Sequence, residues 1–278
     1  MIFREFANKS VLITGGASGL GKALGKVLVA SLANVILLDN DQKALQTTLE
    51  ELGRNVIGKV VDVTNFSLVQ QAVLDAKARF GSLDYIFNNA AITLMGEVRD
   101  MTIEDWDNVL NVDLKGVVNG VVASYALMCE QQSGHIVNIS SIAGITPAVM
   151  TIPYTVSKFG VVGLSHSLRL EAKALGVKVS VACPNLINTS IWLKAKVLAS
   201  QVNLAGEFLP LFPHPPLIDP ENAANIILKG VVKNKATILN GGTSRFVWWS
   251  YRFFPTIWMW VYDQFIMKKF RALRRQEK

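Results

Sequence analysis

Two cysteines and three histidines are all the thiol and imidazole chemistry this chain holds. Cys129 and Cys183 each lie inside an apolar run, where a free thiol is a small buried hydrophobe; a reducing compartment fits them better than a disulfide framework. His135, His166 and His214 follow no ligand spacing, so no metal site is expected. Charged residues are scarce, at 18 % against 50 % apolar, which argues against disorder and for a packed core. Internal repeats and low-complexity tracts are absent. So is the apolar stretch of about 7–15 residues that marks a signal peptide, because the chain enters its first strand by about Ser10. A cytoplasmic location is expected.

Positive charge is present in excess, but unevenly. The net charge is +7, yet residues 1–242 carry 20 Lys/Arg against 19 Asp/Glu, while residues 243–278 carry 8 against 2. The main body is therefore nearly neutral and a poor nucleic-acid binder. What needs explaining is a basic tail. At 278 residues, one α/β domain with an appendage is expected rather than two full domains.

Short apolar runs alternate with amphipathic stretches and predict seven strands: Ser10–Thr14, Asn34–Leu38, Ile57–Asp62, Tyr85–Asn88, His135–Ser140, Lys178–Cys183 and Thr237–Leu239. Between them, patterns such as Leu20, Leu24, Val27 and Leu28 repeat at helical spacing, and longer ones start at Glu104 and Tyr154. This alternation predicts an α/β fold, a Rossmann-like doubly wound parallel sheet with helices on both faces. Residues 190–216 break the rhythm at the carboxyl end of the sixth strand, where ligands bind in such sheets, so they form a candidate substrate lid.

After the first strand comes Thr14-Gly15-Gly16-Ala17-Ser18-Gly19-Leu20-Gly21, then a helical pattern. Glycines suit a sharp turn and a close approach of backbone to a pyrophosphate, with the helix N-terminus facing the anion. The preceding strand and following helix supply the context the motif needs. Gly15, Ser18, Gly19, Leu20 and Gly21 are candidate phosphate contacts. Asp39 ends the second strand, where a carboxylate accepts from the adenosine ribose hydroxyls and repels a 2′-phosphate. Neither Ser18 nor Asn40 offers that phosphate a cation, which favours NAD over NADP. The competing role for Asp39 is to cap the next helix.

Thr14-Gly15-x-x-x-Gly19-x-Gly21, Asn88-Asn89-Ala90, Asn111, Ser141 and Tyr154-x-x-x-Lys158, in this order and spacing, resemble the motifs of the short-chain dehydrogenase/reductase family from about residue 8 to 242. The chemistry fits the residue types. Oxidising a carbinol needs a base, and a tyrosine with a pKa of ~10 is a poor one at neutral pH. Lys158 lies one helical turn on, where its charge favours the phenolate. The resemblance implies that Tyr154 is the acid/base, that Lys158 also grips the nicotinamide ribose, that Ser141 steadies the reacting oxygen, and that Asn111 holds a relay water. It also implies that Asp62, with Val63 beside it, meets the adenine, that Asn88 to Ala90 (Asn89 and Ala90 as contacts) wall the adenosine site, and that Pro184 and Ile187 to Thr189 belong to the carboxamide-binding segment. Ala91 and Asn185 stand where the family carries glycine, and asparagine tolerates a left-handed backbone. An assembly of at least two copies, through the helices after Glu104 and Tyr154, is implied as well. A catalytically silent NAD-binding regulator is the alternative class.

The resemblance ends near Gly242, leaving the extension 243–278 with four of the six tryptophans and 11 of the 24 aromatic residues. Arg252, Pro255 and Asp263 interrupt its apolar runs, so no segment reaches the ~20 residues that span a bilayer. A helix from Pro255 places Trp258, Tyr262, Phe265, Ile266, Phe270 and Leu273 on one side and Asp263, Gln264, Lys268, Arg271, Arg274 and Arg275 on the other. That pattern resembles an interfacial helix at the inner or cytosolic face of a membrane. The alternative is a helix packed on its own domain or on a partner subunit. The lid is apolar too, with Ile191, Trp192, Leu193, Val197, Leu198, Phe208, Leu209, Leu211 and Phe212 against few fixed polar groups (Lys194, Lys196, Glu207). Lid and tail together point to a lipophilic secondary alcohol or ketone, sterol-, retinoid- or acyl-lipid-like. A small polar hydroxy compound is the second candidate.

Overall fold

The computed structural model describes residues 1–53, 56–189, 191, 195–198, 217–268 and 271. Seven strands form the main sheet: β1 (Ser10–Thr14), β2 (Asn34–Asp39), β3 (Val56–Val60), β4 (Tyr85–Asn88), β6 (Gly134–Ile139), β7 (Val177–Cys183) and β9 (Thr237–Leu239). β5 (Leu94–Met95) and β8 (Lys196–Val197) pair separately. The main sheet runs β3-β2-β1-β4-β6-β7-β9 with every pair parallel. All seven expected strands are present, most ends within a residue or two. The apolar runs mark them well because a central parallel strand is covered on both faces; all five residues of β1 are buried.

Helices cover both faces. On one side α1 (Gly19–Ala30), α2 (Gln42–Leu52) and α7 (Pro220–Val232) pack Leu24, Val27, Leu28, Leu45, Ile227 and Leu228 onto the sheet. On the other, α3 (Phe66–Phe80), α5 (Gly116–Gln131) and α6 (Ile152–Ala172) contribute Val69, Val73, Val121, Met128, Val161 and Leu168. Each such fully buried side chain contributes roughly 1.5–3 kcal/mol relative to exposure. Asp41, Asn65 and Asp219 accept amide bonds at the starts of α2, α3 and α7. α4 (Ile103–Leu110) opens with a Thr102/Asp105 capping box and runs through a π-helical turn, Asn111–Lys115, into α5.

The chain winds from β1 out to β3, then returns to place β4 on the other side of β1. This reversal sends the helices that follow β1 and β4 to opposite faces of the sheet, and a cleft lies outside the carboxyl ends of the strands there. Most of the expected lid lies outside the described residues: Ser190, Trp192, Leu193, Lys194 and everything from 199 to 216, including Glu207, Phe208, Leu209, Leu211 and Phe212. What is described of it pairs β8 with β5 and carries an ion pair from Lys196 to Asp105 at 2.8 Å. The extension forms α8 (Gly242–Phe253) and α9 (Pro255–Tyr262), continued by a π-helical turn, Asp263–Met267. Pro255 sits in the first turn of α9, where its missing N–H removes no bond. The Trp258 indole donates to Ser250 Oγ at 2.7 Å and ties α9 back onto α8.

Candidate active site

One cleft of about 1050 Å³ runs across the carboxyl ends of the strands. At its first end the glycine loop leaves β1. Gly15 has φ +64°, and a Cβ there would stand 2.8 Å from the Ala90 Cα. At Gly21 a Cβ would strike the Gly15 carbonyl oxygen. Both positions therefore require glycine. Thr14 Oγ1 accepts the amides of Asn89 (2.9 Å) and Ala90 (3.0 Å), and the Asn89 amide donates to the carbonyls of Thr14 and Gly15. This clamp joins the ends of β1 and β4. α1 begins at Gly19 with no side-chain cap from Ser18, leaving its first amides free for an anion.

Asp39 closes this end. Its carboxylate accepts from the Ala17 amide at 2.9 Å and the Asp41 amide at 3.0 Å. The cap of α2 is Asp41, not Asp39, so the capping role falls to its neighbour. Asp39, Asp41 and Asp62 all line the cleft, and its one cation among the described residues is Lys158, at the opposite end. Ser18, Gly19, Leu20, Val63, Asn89, Ala90, Pro184, Ile187 and Thr189 line it too; Gly21 lies behind the loop. Ala91 and Asn185 have no left-handed backbone, so neither substitution for glycine strains the chain.

At the far end Ser141, Tyr154 and Lys158 meet. Ser140 Oγ donates to the Lys158 carbonyl at 2.9 Å and is thereby occupied, leaving Ser141 as the serine beside the Tyr154 phenol. Lys158 is 1 % exposed; its Nζ donates to the Ile139 carbonyl at 3.3 Å and lies 5.2 Å from the Tyr154 ring centroid. Asn111 is not part of this group. Its side chain is exposed and does not line the cleft. The residue that reaches the lysine is Asp113, two positions on within the π-helical turn. It is wholly buried, with Oδ2 3.3 Å from Lys158 Nζ and Oδ1 accepting the Ile92 amide at 2.8 Å.

Electrostatics corrects the simple expectation for Tyr154. Burial pushes its phenol above the ordinary value; Lys158 pulls it down, Asp113 pushes it further up, and the Ser141 hydroxyl pulls it down. Lys158 alone therefore does not acidify it, because burial outweighs the lysine's pull and Asp113 adds to burial. Burial would lower the Lys158 ammonium, but attraction to Asp113 and Tyr154 outweighs this and holds it above its usual value. Burial raises the Asp113 carboxyl against the pull of Lys158 and the Ile92 amide. Cys183, below Ser140, is pushed up to about 12 by burial and is an inert thiol.

Comparison with known proteins decides the kinship. The family model described as short chain dehydrogenase matches residues 9–197. The chain belongs to the short-chain dehydrogenase/reductase family. It is 33 % identical over 248 residues to the (2S)-[(R)-hydroxy(phenyl)methyl]succinyl-CoA dehydrogenase subunit BbsD of Thauera aromatica, covering 86 % of this chain and 98 % of the relative. Among solved structures it resembles a short chain dehydrogenase/reductase of Burkholderia phymatum in complex with NAD, at TM-score 0.77 and 29 % identity over 84 % of this chain and 89 % of that one. A short-chain dehydrogenase of Streptomyces avermitilis matches at TM-score 0.78 and 25 % identity over 92 % and 97 %. The doubly wound parallel fold and an oxidoreductase activity follow from this membership.

The tail closes the cleft. Phe246, Val247, Trp258, Val261, Tyr262, Phe265 and Ile266 line it beside Ser141 and Tyr154. The side of α9 expected to seek a membrane thus faces the protein's own cleft, with Trp258 and Tyr262 half-buried and Ile266 buried, while Phe265 stays exposed. Its continuation, Phe270 and Leu273 with Arg274 and Arg275, lies outside the described residues.

Proposed function

We propose that this oxidoreductase uses NAD to interconvert a lipophilic secondary alcohol and its ketone, with Tyr154 as the acid/base. The observation that carries the reading is that Ser141 and Tyr154 share one cleft with aromatic residues of the extension and with the glycine loop and Asp39. Three features fit NAD: the glycine loop without room for a Cβ, the uncapped start of α1, and Asp39. A 2′-phosphate would face the carboxylates of Asp39, Asp41 and Asp62. Gly15, Ser18, Gly19, Leu20 and Asp39 would hold the adenosine end with Asp62, Val63, Asn89 and Ala90; Pro184, Ile187, Thr189 and Lys158 would hold the nicotinamide end.

A nicotinamide held by Lys158, Pro184, Ile187 and Thr189 would supply the hydride acceptor for the alcohol, or the donor for the ketone. Tyr154 removes the hydroxyl proton, Ser141 donates to the reacting oxygen, and Lys158 offsets the charge that grows on the phenol. Asp113 sets how much of the Lys158 charge Tyr154 feels. The half-buried Trp258 and Tyr262, with Phe246 and Phe265 at the rim, offer an apolar surface to a substrate body. That the relative in Thauera aromatica carries a hydroxy(phenyl)methyl group in its substrate's name accords with an aryl or alkyl body here. We further assign a dimeric or tetrameric assembly through α5 and α6, which leave Val118, Val122 and Phe159 exposed, and peripheral contact of the extension with a cytosolic membrane face.

The test is NADH absorbance over secondary alcohols of increasing chain length, with Trp258→Ala and Tyr262→Ala beside the parent protein. Rates should rise with apolar bulk, and the two variants should lose that preference. Rates that fall with chain length would assign a small polar substrate.

A further inference from the structure

A second concavity, of about 480 Å³, lies on the opposite side of α8, at the β9 edge of the sheet. Lys229 and Lys233 of α7 and its C-terminus, Lys235 before β9 and Arg245 of α8 surround it, and Trp248 and Trp249 form its apolar side. No carboxylate lines it, and none of the four cations makes an ion pair among the described residues. Four like charges held around one hollow repel one another, and an anion seated among them would relieve that repulsion.

The surroundings select the kind of anion. The Trp249 ring stacks on Phe253 at 5.3 Å and an interplanar angle of 7°. Beyond it in the chain Phe254, Ile257 and Trp260 are exposed as well, an apolar ridge in sequence with the two indoles. Indoles beside cations, followed by bare aromatic surface, match the order of a bilayer from headgroup to acyl chains. On a nucleic acid or a free anion the ridge would remain in water. A second copy paired across the β9 edge would set Lys233 and Lys235 against their own counterparts.

We propose that this hollow seats the phosphate headgroup of an anionic phospholipid and so holds the extension against a bilayer. The inference rests on the membrane contact assigned above and gives it a site. Because α8 and α9 also wall the cleft, the docked face adjoins the place where an apolar substrate would enter.

Vesicle co-sedimentation of the full chain tests this, with phosphatidylcholine alone and with about one third phosphatidylglycerol. The parent protein should bind the anionic vesicles, weaken with salt, and ignore the neutral ones. The triple variant Lys229→Glu/Lys233→Glu/Lys235→Glu should lose about a hundredfold in partitioning, with NAD binding unchanged as proof of folding; Trp249→Ala should weaken binding without altering its salt dependence. Equal binding by parent and triple variant would overturn the site. So would vesicle binding that inorganic phosphate at matched ionic strength leaves untouched, since a hollow that seats a phosphate group should be competed by it. Oxidation of detergent-dispersed alcohols by a protein that ignores anionic vesicles would sink the docking inference while leaving the enzymatic reading intact.

Discussion

Lys158 and Asp113 form a buried ion pair, 3.3 Å between Nζ and Oδ2, at the base of the cleft that holds Tyr154. A lysine drawn toward a carboxylate has less field to spend on a phenol. Replacing Asp113 with asparagine keeps an acceptor for the Ile92 amide but removes the negative charge. Both effects lower the pH at which Tyr154 ionises, since Asp113 raises it directly and shares the lysine. The alkaline-rising limb of the oxidation rate should therefore move to lower pH in Asp113→Asn. A purely structural role would lower the rate and leave the profile where it was.

Asp39 receives two amide bonds, from Ala17 and Asp41, and in the proposed reading also two ribose hydroxyls. Hydrogen bonds to a charged group contribute about 1.5–3 kcal/mol each, so Asp39→Ala should weaken NAD binding by at least roughly tenfold. NADP should gain relative to NAD as the repulsion disappears. Calorimetric titration with both cofactors reads this, and a parent protein that binds NADP more tightly would reverse the assignment.

His135 carries a stability prediction independent of function. Burial, with the charges of Lys178 and Arg169 behind it, lowers its imidazole to about 3, and Nε2 bonds Ser180 Oγ at 2.8 Å. The unfolded chain takes up this proton near pH 6.5 and the folded one does not. Stability is thus complete above about pH 6.5 and falls as the pH drops toward 3, by roughly 1.4 kcal/mol per unit. Urea unfolding between pH 7 and 5 should show this slope, and His135→Gln should flatten it even if the protein is weaker overall.

The strands were readable because each is an apolar run closed by a turn residue, and the ends that carry Gly15, Asp39 and Ser141 follow directly from them. Asp113 was harder. Its signal was a carboxylate inside the apolar stretch from Val109 to Val122, which only a buried partner makes tolerable. The family resemblance implied Asn111 instead, and the π-helical turn that faces residue 113 inward leaves no mark in a 3.6-residue pattern. The tail's apolar face was readable from Trp258, Tyr262, Phe265 and Ile266, but not what it faces. Periodicity defines a stripe, and only tertiary packing shows that the stripe walls the cleft.

Tyr154 holds the central place in the proposed reaction, and Tyr154→Phe tests that role most directly. The substitution removes one hydroxyl and leaves the ring beside Lys158. NAD binding should stay within a few-fold of the parent, while single-turnover reduction of NAD by the best alcohol should fall at least ~10²-fold. Turnover near the parent rate, with NAD still bound, would contradict the assignment of Tyr154 as the group that moves the proton.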